Sequence, residues 1–117
     1  MAYVMGFVAA VPNENREAFR KHADLAAVYF KGNGANRVVE CWGADVPDGK
    51  VTSFPMAVKA KDGETVVFSW IEWPSKEVCD TAMNAMMNDQ RFDPATNPMP
   101  FDGQRMIFGG FEPILDR

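Results

Sequence analysis

Apolar residues dominate two segments, residues 3–11 (YVMGFVAAV) and residues 66–73 (VVFSWIEW), and both segments predict β-strands. In the first segment the apolar residues occupy both sets of alternating positions, with Tyr3 and Phe7 on one side and Val4 on the other. A strand that is apolar on both sides is normally covered on both faces of its sheet. The pattern therefore predicts a sheet with two buried faces.

Two segments with apolar residues at helical spacing follow these strands. The first helix is predicted to begin after Asn13 or Asn15, either of which can cap it. Its apolar side consists of Phe19, Ala23, Ala26 and Phe30. The second helix is predicted over residues 76–90, after Ser75 as the N-cap. Its apolar side consists of Val78, Ala82, Met83, Met86 and Met87.

A second strand over residues 36–43 and a last strand over residues 104–111 complete the predicted elements, and residues 51–61 are expected to form an extended arm. The order β-α-β-β-α-β is typical of the ferredoxin-like α+β fold, here as one domain over residues 1–117. Two helices then cover one face of a four-stranded antiparallel sheet. Since no segment remains for the other apolar face, the simplest cover is a second copy, and we expect a homodimer.

Charge, apolar runs and the numbers of histidines and cysteines narrow the classes of function that this protein can have. The chain has 117 residues and a net charge of −4, which argues against nucleic acid as a partner because such surfaces need clustered Lys and Arg. No apolar run is long enough to cross a membrane, and the N-terminus lacks a basic leader, so we expect a cytoplasmic protein. With one histidine, His22, and with Cys41 and Cys79 far apart, we expect no metal and no cofactor.

Three stretches, RVVECWGADVPDGKVTSF (37–54), FSWIEWPSK (68–76) and MPFDGQRMIFGGFEP (99–113), closely resemble the YbaA-like family of small bacterial proteins. The resemblance extends over nearly the whole chain. It implies a ferredoxin-like protomer within the dimeric α/β-barrel superfamily, and it brings no catalytic residues. Enzymes of that superfamily bind apolar substrates in a cleft between sheet and helices, which is an analogy of fold alone.

The strand segment VVECW (38–42) carries the candidate chemistry, because Glu40 and Trp42 share one side of it. Trp70 and Glu72 share a side of the strand at 66–73, and Phe68 lies on that same side. If both sets face one cavity, they form an aromatic pocket in which burial raises the pKa of a carboxyl group. Alternatively, the two glutamates are structural and pair with arginines. The predicted ligand-binding residues are Trp42, Phe68, Trp70, Glu72 and Arg105.

His22 lies near the apolar side of the first helix and is a candidate general base alongside Glu40, or else a packing residue. Three functions stay open. The first is binding, with or without cofactor-independent conversion, of a small apolar or aromatic molecule. The second is a structural homodimer without chemistry. The third is a haem-binding protein, for which His22 would be the single histidine available.

Overall fold

The computed structural model describes residues 2–117. Its strands are β1 (Tyr3–Pro12), β2 (Arg37–Trp42), β3 (Glu64–Trp73) and β4 (Ile107–Phe111), and its α-helices are α1 (Arg16–Gly32), α2 (Phe54–Ala57) and α3 (Lys76–Met86). Short 3₁₀ turns occupy Asn13–Asn15, Gln90–Phe92 and Gly103–Arg105. The strands form one sheet in the order β2-β3-β1-β4, and every neighbouring pair is antiparallel. The predicted ferredoxin-like α+β fold is confirmed.

One face of the sheet packs against α1 and α3, and we call it the helix face. Strand register assigns its residues, because directly paired positions point to the same side: Trp42 pairs with Val67, and Ser69 pairs with Phe7. The opposite face, here called the open face, is formed by Val4, Gly6, Val8, Phe68, Trp70, Ile107 and Phe111.

The main core lies between the helix face and the two long helices. Trp73 is fully buried, and Phe30 of α1 meets it edge to face with ring centroids 5.9 Å apart. The Tyr29 hydroxyl donates a hydrogen bond of 2.7 Å to the Ala82 carbonyl and so joins α1 to α3. Cys79 of α3 is fully buried in the same cluster.

The helix ends differ in part from the predictions. Ser75 caps α3, since its Oγ accepts a hydrogen bond from the Val78 amide at 3.2 Å. Asn15 occupies the predicted N-cap position of α1, but its side chain makes no capping hydrogen bond and instead donates its amide to the Pro100 carbonyl at 2.8 Å. Helix α3 ends at Met86, and Met87 is 85% exposed, so its assignment to the apolar side was wrong.

The segment 51–61 is not an extended arm. Ser53 accepts a hydrogen bond from the Met56 amide and begins the one-turn helix α2, with a proline in its first turn. Val58, just beyond it, is fully buried against Val8, Ala10 and Val66. This segment therefore covers one end of the open face, which the sequence pattern did not predict.

The last strand is shorter than expected because residues 103–105 form a 3₁₀ turn capped by Asp102. Gly110 of β4 lies against the Tyr3 side chain. A Cβ atom built on Gly110 would lie 1.7 Å from the Tyr3 hydroxyl oxygen. The absent side chain at Gly110 thus leaves room for the Tyr3 ring across the sheet.

Candidate functional site

A cleft of about 520 Å³ opens between α1 and the edge strand β2 on the helix face. Its apolar part includes Phe19 and Ala23 of α1 and Val38 of β2. Its polar part includes Arg16 on the helix and Glu40 on the strand. This mixture of an apolar wall with a few charged groups is typical of sites for small organic molecules, and the volume is in the usual range.

Strand register explains why Glu40 and Trp42 both reach this cleft. Glu40 pairs with Ser69 and Trp42 pairs with Val67, and both β3 residues belong to the helix face. Successive side chains of a strand alternate between faces, so Cys41 points the other way. The carboxylate and the indole of the opening VVECW motif are therefore neighbours along one wall.

The protonation of Glu40 responds to its surroundings. Glu40 is exposed to solvent on the edge strand, yet partial desolvation by the cleft walls raises the pKa of its carboxyl group above its ordinary value, and the neighbouring Ser69 hydroxyl lowers it to a smaller extent. Ser69 is itself buried at 6% exposure. A carboxyl group with a raised pKa exchanges its proton closer to neutral pH, which suits a proton donor or acceptor.

Arg16 lies over the Trp42 ring at 5.2 Å from its centroid, a cation–π contact at the edge of the cleft. Arg20, one turn further along α1, forms hydrogen bonds of 2.8 to 3.1 Å with the Glu17 carboxylate. The two arginines of the cleft are therefore in different situations, since Arg20 has a carboxylate partner and Arg16 contacts an aromatic ring.

The open face carries a second concavity, of about 610 Å³, which is almost entirely apolar. Phe68 and Trp70 lie in it, with ring centroids 5.8 Å apart. The Trp70 indole donates a hydrogen bond of 2.9 Å to Glu72, and Arg37 approaches that carboxylate at 3.9 Å. This matches the structural alternative for Glu72, in which the carboxylate pairs with an arginine.

The two Glu-Trp sets do not face one cavity. Trp42 lies at an even position of β2, and its pair Val67 lies at an odd position of β3, so the even β3 positions point to the open face. Phe68, Trp70 and Glu72 therefore lie on the opposite side of the sheet from Glu40 and Trp42. The sequence could not reveal this register, because either pairing keeps each strand's alternation intact.

Like Glu72, the other two predicted residues, His22 and Arg105, line neither concavity. His22 is half-buried on α1, and desolvation lowers its pKa. Arg105 is held inside the chain by Glu64, Asp102 and the Lys59 carbonyl. Within residues 2–117 no group of three or more His, Cys, Asp or Glu side chains is placed to hold a metal ion.

Sequence reasoning missed Arg16 and Ser69. Arg16 is the first residue of α1, and its place above Trp42 depends on how the helix crosses the sheet. Ser69 stands among apolar residues in VVFSWIEW, and a polar residue inside such a strand is the signal that could have singled it out. In the part of the chain that is described, no helix is both long and apolar enough to span a membrane.

The fold and the cleft define a small ferredoxin-like α+β protein with a partly charged pocket beside its edge strand. Residues 2–103 match the family model described as "Protein of unknown function (DUF1428)", and the chain belongs to this family. Its relatives include the "Uncharacterized protein YbaA" of Escherichia coli strain K12 and that of Shigella flexneri. Each is 60% identical to this chain over 99% of both sequences.

Proposed function

We propose that this protein binds a small, largely apolar molecule in the cleft between α1 and β2. The observation that carries this proposal is the cleft itself, in which Trp42 and Phe19 line a space of about 520 Å³ beside the single carboxylate of β2. An apolar wall supplies affinity through area removed from water, and a few polar groups supply orientation. The Glu40 carboxyl group is suited to accept or donate a proton there.

This proposal is tested through the tryptophan side chains. The Nε1–H signals of Trp42 and Trp70 are assigned by NMR with the variants Trp42→Phe and Trp70→Phe. Indole, 2-phenylethanol, 3-phenylpropanoate and 2-phenylethylamine are then titrated separately. We expect at least one compound to shift the Trp42 signal saturably, because Trp42 lines the cleft.

The Trp70 signal is the internal control, since Trp70 lies on the open face. A response at Trp70 with none at Trp42 would move the binding site to the other side of the sheet. Saturation at neither residue with all four compounds would contradict binding of aromatic molecules in the cleft. Native mass spectrometry of the protein purified without added ligand gives an independent measure, the mass of any molecule that copurifies.

The open face supports a second candidate role, self-association into a homodimer. Phe68 is 46% exposed, Ile107 is 45% exposed and Phe111 is 60% exposed around a groove of about 610 Å³. Large contiguous apolar patches of this kind are seldom left in water. Two copies packed through this face would form the dimeric α/β barrel that the family resemblance implies, and the same patch on both subunits suits a two-fold axis.

The association test uses matched charge insertions. Phe111→Glu lies on the open face, where the Phe111 ring packs beside Gly6 of β1, and Val28→Glu lies at an exposed position of α1. We expect the parent chain and Val28→Glu to sediment as dimers and Phe111→Glu as a monomer with unchanged circular dichroism. Ile107→Glu provides a second variant of the same face. A parent chain that sediments as a monomer at all concentrations would contradict the dimer.

A further inference from the structure

The charges of the cleft fall into two groups. Glu17, Arg20 and Asp24 follow one another along α1 at helical spacing. Arg20 forms three hydrogen bonds with Glu17, and the Asp24 charge further favours its cationic form. Glu17 and Arg20 therefore compensate each other, Asp24 adds one negative charge, and this group leaves no unpaired cation for a ligand.

Arg16 and Glu40 form the second group. Arg16 contacts the Trp42 ring and has no ion pair among residues 2–117. Glu40 likewise has no ion pair in the described chain, and Ser69 lies opposite it on β3. Glu40 and Trp42 are two residues apart on one side of β2, which corresponds to roughly 7 Å along the strand. The cleft therefore has an unpaired cation on its α1 wall and an unpaired carboxyl group on its β2 wall.

We infer that the ligand is a small aromatic or similarly planar carboxylic acid that also carries a hydroxyl group. The Arg16 guanidinium binds its carboxylate, and Glu40 accepts a hydrogen bond from its hydroxyl group. The apolar body lies against Phe19, Val38 and Ala23. This inference rests on the proposed function, because it assigns the chemical class of the molecule that occupies the same cleft.

A carboxylate fits better than a phosphate or an ammonium group. A dianionic phosphate would meet one available guanidinium together with the negative charge of Asp24 and Glu40. An ammonium group would have to compete with Arg16 for the face of Trp42. A monoanion needs one charge-assisted contact, and the planar guanidinium provides the two parallel donors that a carboxylate accepts.

The test compares three compounds that differ in one group each. 3-Phenyllactate carries carboxylate and hydroxyl, 3-phenylpropanoate lacks the hydroxyl, and 1-phenylpropan-2-ol lacks the carboxylate. Each is titrated against the parent chain, Arg16→Gln, Glu40→Ala and Lys21→Gln with the Trp42 Nε1–H signal as readout. Lys21→Gln is the matched control, because it removes one positive charge of α1 that does not line the cleft.

We expect 3-phenyllactate to bind the parent chain most tightly, with a loss of about tenfold or more on removal of either group. In Arg16→Gln the affinity gained from the carboxylate should disappear, and the affinity gained from the hydroxyl group should remain. In Glu40→Ala the gain from the hydroxyl group should disappear and that from the carboxylate should remain. Lys21→Gln should preserve both gains. Such a pattern of paired losses identifies which side chain meets which group.

Three results would overturn the inference. If 1-phenylpropan-2-ol bound as tightly as 3-phenyllactate or more tightly, the cleft would be an apolar site whose ligand needs no carboxylate. Equal losses in Arg16→Gln and Lys21→Gln would reduce the effect to general electrostatics. 2-Phenylethylamine and phenyl phosphate are titrated in the same way, and tighter binding of either than of 3-phenyllactate would give the ligand a different charged group. Failure of every aromatic compound to reach Trp42 would instead contradict the proposed function together with the inference.

Discussion

Arg105 and Glu64 form a bidentate ion pair, in which Nη1 of Arg105 lies 2.8 Å from Oε1 of Glu64 and Nη2 lies 2.7 Å from Oε2. Both side chains are largely buried, at 15% and 9% exposure. Arg105 also donates to the Lys59 carbonyl at 2.9 Å and to Asp102 at 3.0 Å. The pair therefore joins the start of β3, the segment after α2 and the turn before β4.

The first prediction concerns how the contribution of this ion pair to the stability of the fold depends on pH. The hydrogen bonds from Arg105 lower the pKa of Glu64 from 4.5 to about 2. Because the pKa is lower in the folded state, the stabilisation is complete above pH 4.5 and is lost as pH falls towards 2. Glu64→Gln should lower the melting temperature at pH 7 by about 5 °C or more, and the difference should shrink below pH 4.

Thermal unfolding followed by circular dichroism between pH 7 and pH 2 measures this effect. Glu17→Gln is the control, because Glu17 pairs with Arg20 on the exposed surface of α1 and should contribute little. A constant difference between Glu64→Gln and the parent chain over this whole range would show that the carboxylate charge is not what stabilises the fold.

The second prediction concerns the contact between Gly110 and Tyr3. A Cβ atom on Gly110 would overlap the Tyr3 hydroxyl oxygen at 1.7 Å, so Gly110→Ala should destabilise the fold by about 1–3 kcal/mol. Urea unfolding measures the loss. Gly32→Ala at the end of α1 is the control, since no atom lies within 4 Å of the added methyl group there.

The double variant Gly110→Ala with Tyr3→Leu separates overlap from backbone effects. Removal of the ring relieves the overlap, so Gly110→Ala should cost less in this background than in the parent chain. Strictly additive losses would show that Gly110 is needed for its backbone and not for the space beside Tyr3.

Most of the fold could be predicted because periodic apolar segments determined its elements. The strands at 3–11 and 66–73 were apolar on both sides, and Ser75 was a recognisable cap. Helix α2 was missed because one turn is too short for a periodic signal, and its start depends on Ser53 and a proline. The burial of Val58 depends on tertiary packing that no local pattern contains.

The site was less predictable than the fold. Glu40 and Trp42 could be placed on one wall from alternation alone, and the structure puts them there. Their relation to Trp70 required the register between β2 and β3, in which a shift of one residue exchanges the faces. Arg16 is separated from Trp42 by 26 positions of the chain, and only the crossing of α1 over the sheet brings them together.

The third prediction concerns the two thiols, one exposed and one buried. Cys41 is exposed at the edge of β2, whereas Cys79 is fully buried, and burial raises its pKa. Native protein should therefore react quickly with one equivalent of 5,5′-dithiobis(2-nitrobenzoate), and denatured protein with two. Cys41→Ala should remove the fast reaction and Cys79→Ala should keep it. Two fast thiols in the native state would contradict the packing of α3 on the sheet.

The last prediction concerns Glu40, whose pH dependence is opposite in sign to that of Glu64. Desolvation raises the pKa of Glu40 in the folded state, so folding favours its protonated form. Its contribution to stability is complete below the ordinary value of 4.5 and is lost as pH rises through the folded pKa. Glu40→Gln, which cannot ionise, should therefore be more stable than the parent chain at pH 7.

This gain should disappear below pH 4, where the parent chain carries a neutral carboxyl group at the same place. Thermal unfolding of both proteins at pH 7 and pH 4 measures the difference, and Glu77→Gln, at an exposed position of α3, is the control. Lower stability of Glu40→Gln at pH 7 would instead make Glu40 a structural carboxylate and remove the support that its pKa gives to proton transfer in the cleft.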